Sequence, residues 1–574
     1  MKALKFVLGI LLGLALIATP FSTWQPAPTA GLQSLAVQLD GRKKPLDTVA
    51  RETVTQIHGS TSYRLESGVR EDYFTTFMGL WFNDRDWNQE PFILVNYRPL
   101  KESAGLDIER KYFSFKELMQ SNLPATLRQV RDKQAAEAEL SRDAREALTV
   151  ADRMSLMLET VARDELPLVP HPTDLKGKWM GIPQALDSYS ADEVSDLAGT
   201  LELMKLTYAG HRVPEAIEPL ALQLHTQLQQ LSPEIYPSDR TLSREVLFNR
   251  LHAFGKAWQV FAVAFVAMLA VTFVPLPNWY WLPIGTFTVG LGIQLYGFAL
   301  RVMVADRPPV TNMYESVVWV GFGIAALALI FELKSRARYY LLAAAPLSIL
   351  ALVLADSLPA VLDASIQPLV PVLRDNFWLS VHVPTITLGY ACFALAMGLG
   401  HIMLSQYWLA PNNKSRITKL SKLNYSVLQV GILLLAAGII LGGIWAHFSW
   451  GRFWGWDPKE TWAAIALLCY LAPLHGRFVG WVNTFGMAVA SVVSFNAVLM
   501  AWYGVNFVLS QGLHSYGFGT GGSAGIAALV AADLLFVAAT AVRYKSLTRA
   551  TQSDESSSSS ALDPVLVQQS TPAQ

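Results

Sequence analysis

Nine apolar stretches, at approximately 257–274, 280–304, 314–333, 339–355, 379–409, 425–446, 460–474, 484–509 and 524–542, fill the second half of this 574-residue chain. A membrane-spanning helix needs about 20 apolar residues. Only a helix satisfies its backbone within each such segment, so the pattern predicts a mainly α, polytopic helical membrane protein. Composition agrees: 52% of residues are hydrophobic, 16% are charged and the mean hydropathy is +0.30, too apolar for a soluble enzyme of this length. The 45 basic and 45 acidic residues cancel, so no global basic field points to nucleic acid as a partner. Cys392 and Cys469, the only cysteines, both lie inside apolar runs. That excludes a disulfide framework, a C-x-x-C thiol pair and a cysteine-rich metal site.

Residues 1–22 place Lys2 and Lys5 ahead of an apolar stretch at 6–18, the pattern of a signal peptide or an uncleaved signal anchor. Residues 23–250 are polar, contain no spanning run, and have helical stretches at 147–162 and 191–208, which predicts a helix-rich extracytoplasmic domain. The bundle occupies 251–545. The serine-rich segment 546–574 lacks the apolar content to offset its ordering entropy and is expected to be a disordered cytoplasmic tail.

Cytoplasmic loops retain Lys and Arg. With the large domain outside, three basic loops fall inside: Lys334, Arg336 and Arg338; Lys414, Arg416, Lys419 and Lys422; and Arg543, Lys545 and Arg549. The segments 306–313 and 356–378 and the loops containing Trp450 and His514 then face outward.

Five tryptophans stand in the eighteen positions W-A-H-F-S-W-G-R-F-W-G-W-D-P-K-E-T-W: Trp445, Trp450, Trp454, Trp456 and Trp462. A membrane-interface belt is one reading of such a cluster. The other is a flat aromatic surface for a large planar ligand such as a porphyrin, with glycines that let the backbone approach. Arg452 and Lys459 are either partners for haem propionates or interfacial side chains reaching for water. Asp457 reads as structural, because Asp-Pro-Lys-Glu combines an N-cap, a proline at the first helical position and Glu460 three residues after the cap.

Histidine is the natural axial ligand of haem iron. His382 begins its helix at the outer face and His514 lies in an outer loop, so both can reach one iron from opposite sides of the tryptophan loop. His475, near the cytoplasmic end of its helix, is a separate candidate for haem in transit or an interfacial residue beside Arg477. His401 lies nineteen positions beyond His382, about 28 Å along a helix, too far to share its iron.

The segment W-G-R-F-W-G-W-D-P-K-E-T resembles the tryptophan-rich WWD motif of CcsA, or ResC, cytochrome c biogenesis proteins. R-P-P-V-T-N-M-Y-E-S at 307–316, W-L-S-V-H-V-P at 378–384 and G-L-H-S-Y-G-F at 512–518 agree in order, and the resemblance covers roughly 244–542. G-R-K-K-P-L-D-T-V-A-R-E at 41–52 resembles an amino-terminal extension that some members carry. One departure is His447, where Asn is expected in the lead-in to the motif.

The resemblance implies that His382 and His514 are the axial ligands of a b-type haem, handled as substrate. It implies that the motif, Asp457 included, contacts haem and that His475 serves haem passage across the membrane. It implies a bacterial inner-membrane location with the haem site toward the periplasm, a CcsB or ResB partner, apocytochrome c with its C-x-x-C-H site, and a link to thiol-reducing factors. No segment resembles CcsB, so a separate partner chain is expected. A haem exporter without synthase activity is the competing reading, and no residue is an evident general acid or nucleophile. A cytochrome b type electron carrier fits less well, because no second histidine pair stands at similar depth.

Overall fold

In the computed structural model, residues 2–18, 29–65, 67–136, 140–161, 166–274, 279–358, 361–509, 513–514 and 523–560 are described. All nine apolar stretches are helical. Eight helices among these residues are long and apolar enough to cross a membrane. The stretch at 460–474 belongs to a ninth helix, Pro458–Phe478, which is long enough to span but carries Lys459 and Glu460 at its start and His475 and Arg477 at its end. It is part of the same bundle: Tyr470, buried at 1% exposure, stacks flat on Phe393 with ring centroids 3.8 Å apart.

Side chains at the helix starts satisfy backbone N–H groups that would otherwise be orphaned. Asn312 accepts from Glu315 N–H to open Met313–Ser335, Asp375 accepts from Phe377 and Trp378 N–H to open Asn376–Leu409, and Asn413 accepts from Arg416 N–H to open Lys414–Trp450. Gly451, at φ +70°, ends that last helix in the left-handed conformation a glycine adopts without strain, which frees the tryptophan loop to turn back.

The helix Lys2–Ala18 is packed into the bundle. A Cβ at Gly9 would meet the Leu282 carbonyl oxygen at 2.2 Å and one at Gly285 would meet the Phe6 carbonyl oxygen at 2.3 Å, so two backbones touch where both residues are glycine. Thr286 Oγ1 donates to the Gly9 carbonyl at 3.0 Å. Phe6 meets Trp281 and Gly13 meets Val289, so this helix runs parallel to Trp281–Ala305. Lys2 and Lys5 therefore stand at the same end of the bundle as the three basic loops.

At the other end sits the 23–250 domain. It is helix-rich as expected, with three antiparallel strand pairs the sequence pattern did not resolve: the hairpins Ala36–Leu39 with Arg42–Pro45 and Ser62–Arg64 with Arg70–Asp72, and the pair Ile93–Leu94 with Tyr112–Phe113, whose strands the helix Arg98–Ala104 separates. It has its own core, from Leu32 to Leu242, built around Phe77, Trp81, Trp87, Phe92 and Tyr208. The 41–52 segment holds the domain to the lead-in of the membrane region. Arg42 makes two 2.7 Å bonds to Glu245, Thr48 donates to the same carboxylate, and Asn249 donates to Asp47. Both partners, Glu245 and Asn249, lie on the helix Asp239–Leu251. His252, at φ +47°, then joins that helix to Ala253–Phe273.

The carboxy-terminal expectation needs correction. The last helix runs from Ser523 to Ser560, well past 546, where disorder was expected to begin. Residues 561–574 lie outside the described residues.

Candidate functional site

At the domain-bearing end of the bundle, five helices and the tryptophan loop line an open, mostly apolar cavity. His382, His514, Trp445, Trp450, Trp454 and Lys459 all line it, so residues up to 132 positions apart in sequence converge on one space.

His382 lies one and a half turns into its helix, and Nδ1 donates to the Gly438 carbonyl at 2.9 Å. That fixes the tautomer and leaves Nε2 with its lone pair. Gly442, one turn further along the facing helix, makes room for the ring: a Cβ there would stand 2.6 Å from His382 Cε1. Trp445 meets the imidazole edge to face at 5.6 Å.

His514 comes from the loop G-L-H-S-Y-G-F, of which only Leu513 and His514 are described. Its Nδ1 donates to Asp457 Oδ1 at 3.0 Å, and Trp450 packs edge to face against the ring at 4.7 Å. Burial pulls the His514 pKa below the ordinary 6.5 despite the Asp457 charge opposing it, so the imidazole is neutral and able to ligate at neutral pH. Burial alone would raise the Asp457 carboxyl, but the Lys459 N–H bond, the interaction with His514 and the Leu513 N–H outweigh it and hold the group below the usual carboxylate range.

Asp457 caps the helix Pro458–Phe478 in a full capping box with Glu460, as its sequence context predicts. Its bond to His514 was not legible there. Arg452 has an internal partner: Nη1 donates to Glu460 Oε1 at 2.8 Å, and the guanidinium lies over Trp450 at 5.6 Å. Glu460 Oε2 also accepts from the N–H groups of Gly455 and Asp457, so this one carboxylate draws the tryptophan loop closed.

Trp456 and Trp462 are not brought to the cavity wall. Trp456 is 73% exposed, at φ +56°, with its ring edge to face on Trp454. Trp462 packs into the bundle core. His475 is exposed in the last turn of its helix, bonded to the Leu471 carbonyl and remote from the cavity. His447 is exposed beside Phe448. His401 pairs through Nε2 with Asp533 at 3.0 Å.

Part of the wall carried no assigned role in the sequence. Val310, Thr311, Asn312, Met313 and Ser316 line the cavity. They are placed by Glu315, which pairs with buried Arg301 at 2.6 Å and accepts from Thr311 N–H and Oγ1. The matching segment R-P-P-V-T-N-M-Y-E-S was the available signal. Trp502 and Asn506 line the opposite side from Met500–Leu509, a π-helix of i→i+5 hydrogen bonds, a winding that recurs at functional sites. The Trp502 indole N–H is buried without a hydrogen-bond partner among the described residues.

The donor set fits haem. No cluster of three or more His, Cys, Asp or Glu able to hold a bare metal ion exists among the described residues. Two neutral imidazoles alone suit an iron whose other four positions a macrocycle already fills. Apolar walls suit a tetrapyrrole face, and Lys459 and the Trp502 N–H offer donors for carboxylates.

Comparison with known proteins gives the same direction. A family described as Cytochrome C assembly protein matches residues 310–514, the span that holds every cavity residue named above. Protein NrfI of Wolinella succinogenes is 30% identical over 508 residues, covering 85% of this chain and 54% of its own length. The chain thus spans about half the length of that relative, and an 85% match necessarily takes in much of the 23–250 domain. The cytochrome c biogenesis protein CcsA of Chlorella vulgaris is 31% identical over 294 residues, covering 42% of this chain and 91% of its own. CcsA of Prochlorococcus marinus strain SARG is 33% identical over 268 residues, covering 41% and 83%. This multi-pass membrane chain belongs to the CcsA family of cytochrome c biogenesis proteins.

Proposed function

We propose that this protein holds b-type haem between His382 and His514 at the outer, periplasmic face of a bacterial inner membrane. With a CcsB or ResB type partner, it attaches that haem to apocytochromes at C-x-x-C-H. The observation that carries the reading is the convergence of two tautomer-fixed imidazoles and four indoles on one apolar cavity.

His382 and His514 present their Nε2 lone pairs from two elements. Trp445, Trp450 and Trp454 lie along the cavity wall and keep water from the faces of the macrocycle, while Lys459 offers a cation to a propionate. Attachment then joins each reduced thiol of the apocytochrome to a vinyl group. The S–H bond and the vinyl π bond break, a C–S bond forms, and the proton ends on the neighbouring vinyl carbon. No net oxidation occurs, so the requirement is for reduced thiols, which links the site to thiol-reducing factors, and for orientation.

The test is the absorption spectrum of the full chain purified in detergent with its partner, for wild type, His382→Ala and His514→Ala, each with and without imidazole. Wild type shows bis-histidine haem, and each variant loses it and regains it with imidazole. Wild-type spectra in both variants overturn the reading. Co-expression with the partner and one apocytochrome separates a synthase, which yields covalent product, from a haem exporter, which does not.

A further inference from the structure

The two axial histidines are held by different chemistry. His382 Nδ1 donates to a neutral peptide carbonyl, that of Gly438. His514 Nδ1 donates to a carboxylate, that of Asp457, whose side chain is 3% exposed. The same carboxylate accepts from Lys459 N–H at 3.0 Å and from Leu513 N–H at 2.7 Å. One bond starts the helix Pro458–Phe478, and the other two fasten a loop 56 and 57 positions further along the chain. Asp457 is therefore the joint between the tryptophan loop and the histidine loop.

A carboxylate accepting from Nδ1–H does two things to an imidazole. It fixes the ring so that Nε2 alone carries the lone pair, and it draws the Nδ1 proton toward itself, so that Nε2 becomes the stronger electron donor. A peptide carbonyl does the first but only weakly does the second. From this asymmetry we infer that Asp457 is a positioning residue that makes His514 the more strongly donating axial ligand and biases the bound iron toward its ferric state. The inference rests on the proposed haem site and goes beyond it by assigning unequal roles to the two ligands.

The chemistry of capping separates this role from a structural one. Asn and Ser cap helix starts about as well as Asp. Asp457→Asn and Asp457→Ser thus keep the helix start while removing the charge beside His514. Asp457→Glu keeps the charge with a longer reach.

The experiment titrates the purified full chain, in detergent, with ferric haem b. It reads the midpoint potential by spectroelectrochemistry, the electron paramagnetic resonance signal of the ferric form, and the rate of haem loss to apomyoglobin. Asp457→Asn and Asp457→Ser are expected to raise the midpoint potential and to shift the ferric signal. A tenfold loss of ferric over ferrous preference reads as about 59 mV for one electron. Haem retention should fall by roughly 10–100-fold, the usual effect of removing such a partner. Asp457→Glu is expected to recover most of the potential. A midpoint and ferric signal unchanged in both Asn and Ser variants, with bis-histidine haem bound, overturns the inference and leaves the haem site standing. Wild type that binds no bis-histidine haem overturns the site itself.

Discussion

Gly442→Ala is the smallest change that probes the His382 side of the cavity. The new Cβ would stand 2.6 Å from His382 Cε1, 3.2 Å from Nδ1 and 3.3 Å from Nε2, so it meets the ring at its Cε1 corner. An imidazole is rigid, and regaining ordinary contact at 3.4 Å requires it to retreat by about 0.8 Å. Retreat stretches the 2.9 Å bond from Nδ1 to the Gly438 carbonyl, one turn back on the same helix, past the range of a real hydrogen bond. Losing that bond costs about 0.5–1.5 kcal/mol and overpacking adds about 1–3 kcal/mol. Some of the strain relaxes, so the ferric haem affinity should fall by roughly 10–100-fold, at about 1.4 kcal/mol per tenfold. The assay is titration of the full chain with ferric haem b, followed by the visible absorption of the bis-histidine form. Gly292→Ala, in a bundle helix with nothing within 4 Å of the added carbon, is the control and should bind as wild type does. Binding by Gly442→Ala within twofold of wild type would refute the placement of His382 against this helix.

Other consequences are as direct. Arg301 and Glu315 are each 1% exposed and paired at 2.6 Å, so Glu315→Ala should destabilise the bundle by about 3–5 kcal/mol, read as a lower thermal midpoint in detergent; a midpoint unchanged within error would mean the pair is hydrated. Gly9→Leu drives a side chain into the Leu282 carbonyl and should release the first helix, seen as protease access to residues 2–18 in vesicles and lower accumulation. Buried His58, between Phe92 and Tyr112, has its pKa lowered by burial from 6.5, against the Phe92 carbonyl bond. As pH falls below 6.5 the unfolded chain takes up a proton that the native ring refuses, so stability is complete above that value and declines below it, by up to about 1.4 kcal/mol per pH unit. Hydrogen exchange across Leu46–His58, corrected for intrinsic rates, should show this loss in wild type and not in His58→Phe.

Features set by local chemistry were legible in the sequence. The spans follow from apolar run length, and the Asp457 cap from Asp-Pro-Lys-Glu. What escaped was set by contacts distant in sequence. Nothing near Asp457 announces a histidine 57 positions away. Nothing in Trp502 distinguishes a cavity wall from an interface belt. Arg452 offered itself as a propionate partner because Glu460, eight positions on, reads equally well as a cap residue, and it serves both as cap and as ion-pair partner. Trp456 and Trp462 are candidates by membership of a dense cluster, but Trp456 is itself the left-handed residue of the loop, and Trp462 lies a turn into the following helix and packs against the bundle core.

His252 is the only residue between the helix Asp239–Leu251, which ends the amino-terminal domain, and the helix Ala253–Phe273, which enters the bundle. It serves as the end of one and the start of the other, and its Nε2 meets Asp356 at 2.7 Å on the last turn of a third helix. A joint one residue long has no slack. The direction of the helix Asp239–Leu251 is therefore tied to that of Ala253–Phe273 through a single backbone position, and the His252–Asp356 contact fastens that position to the helix Tyr339–Ser357.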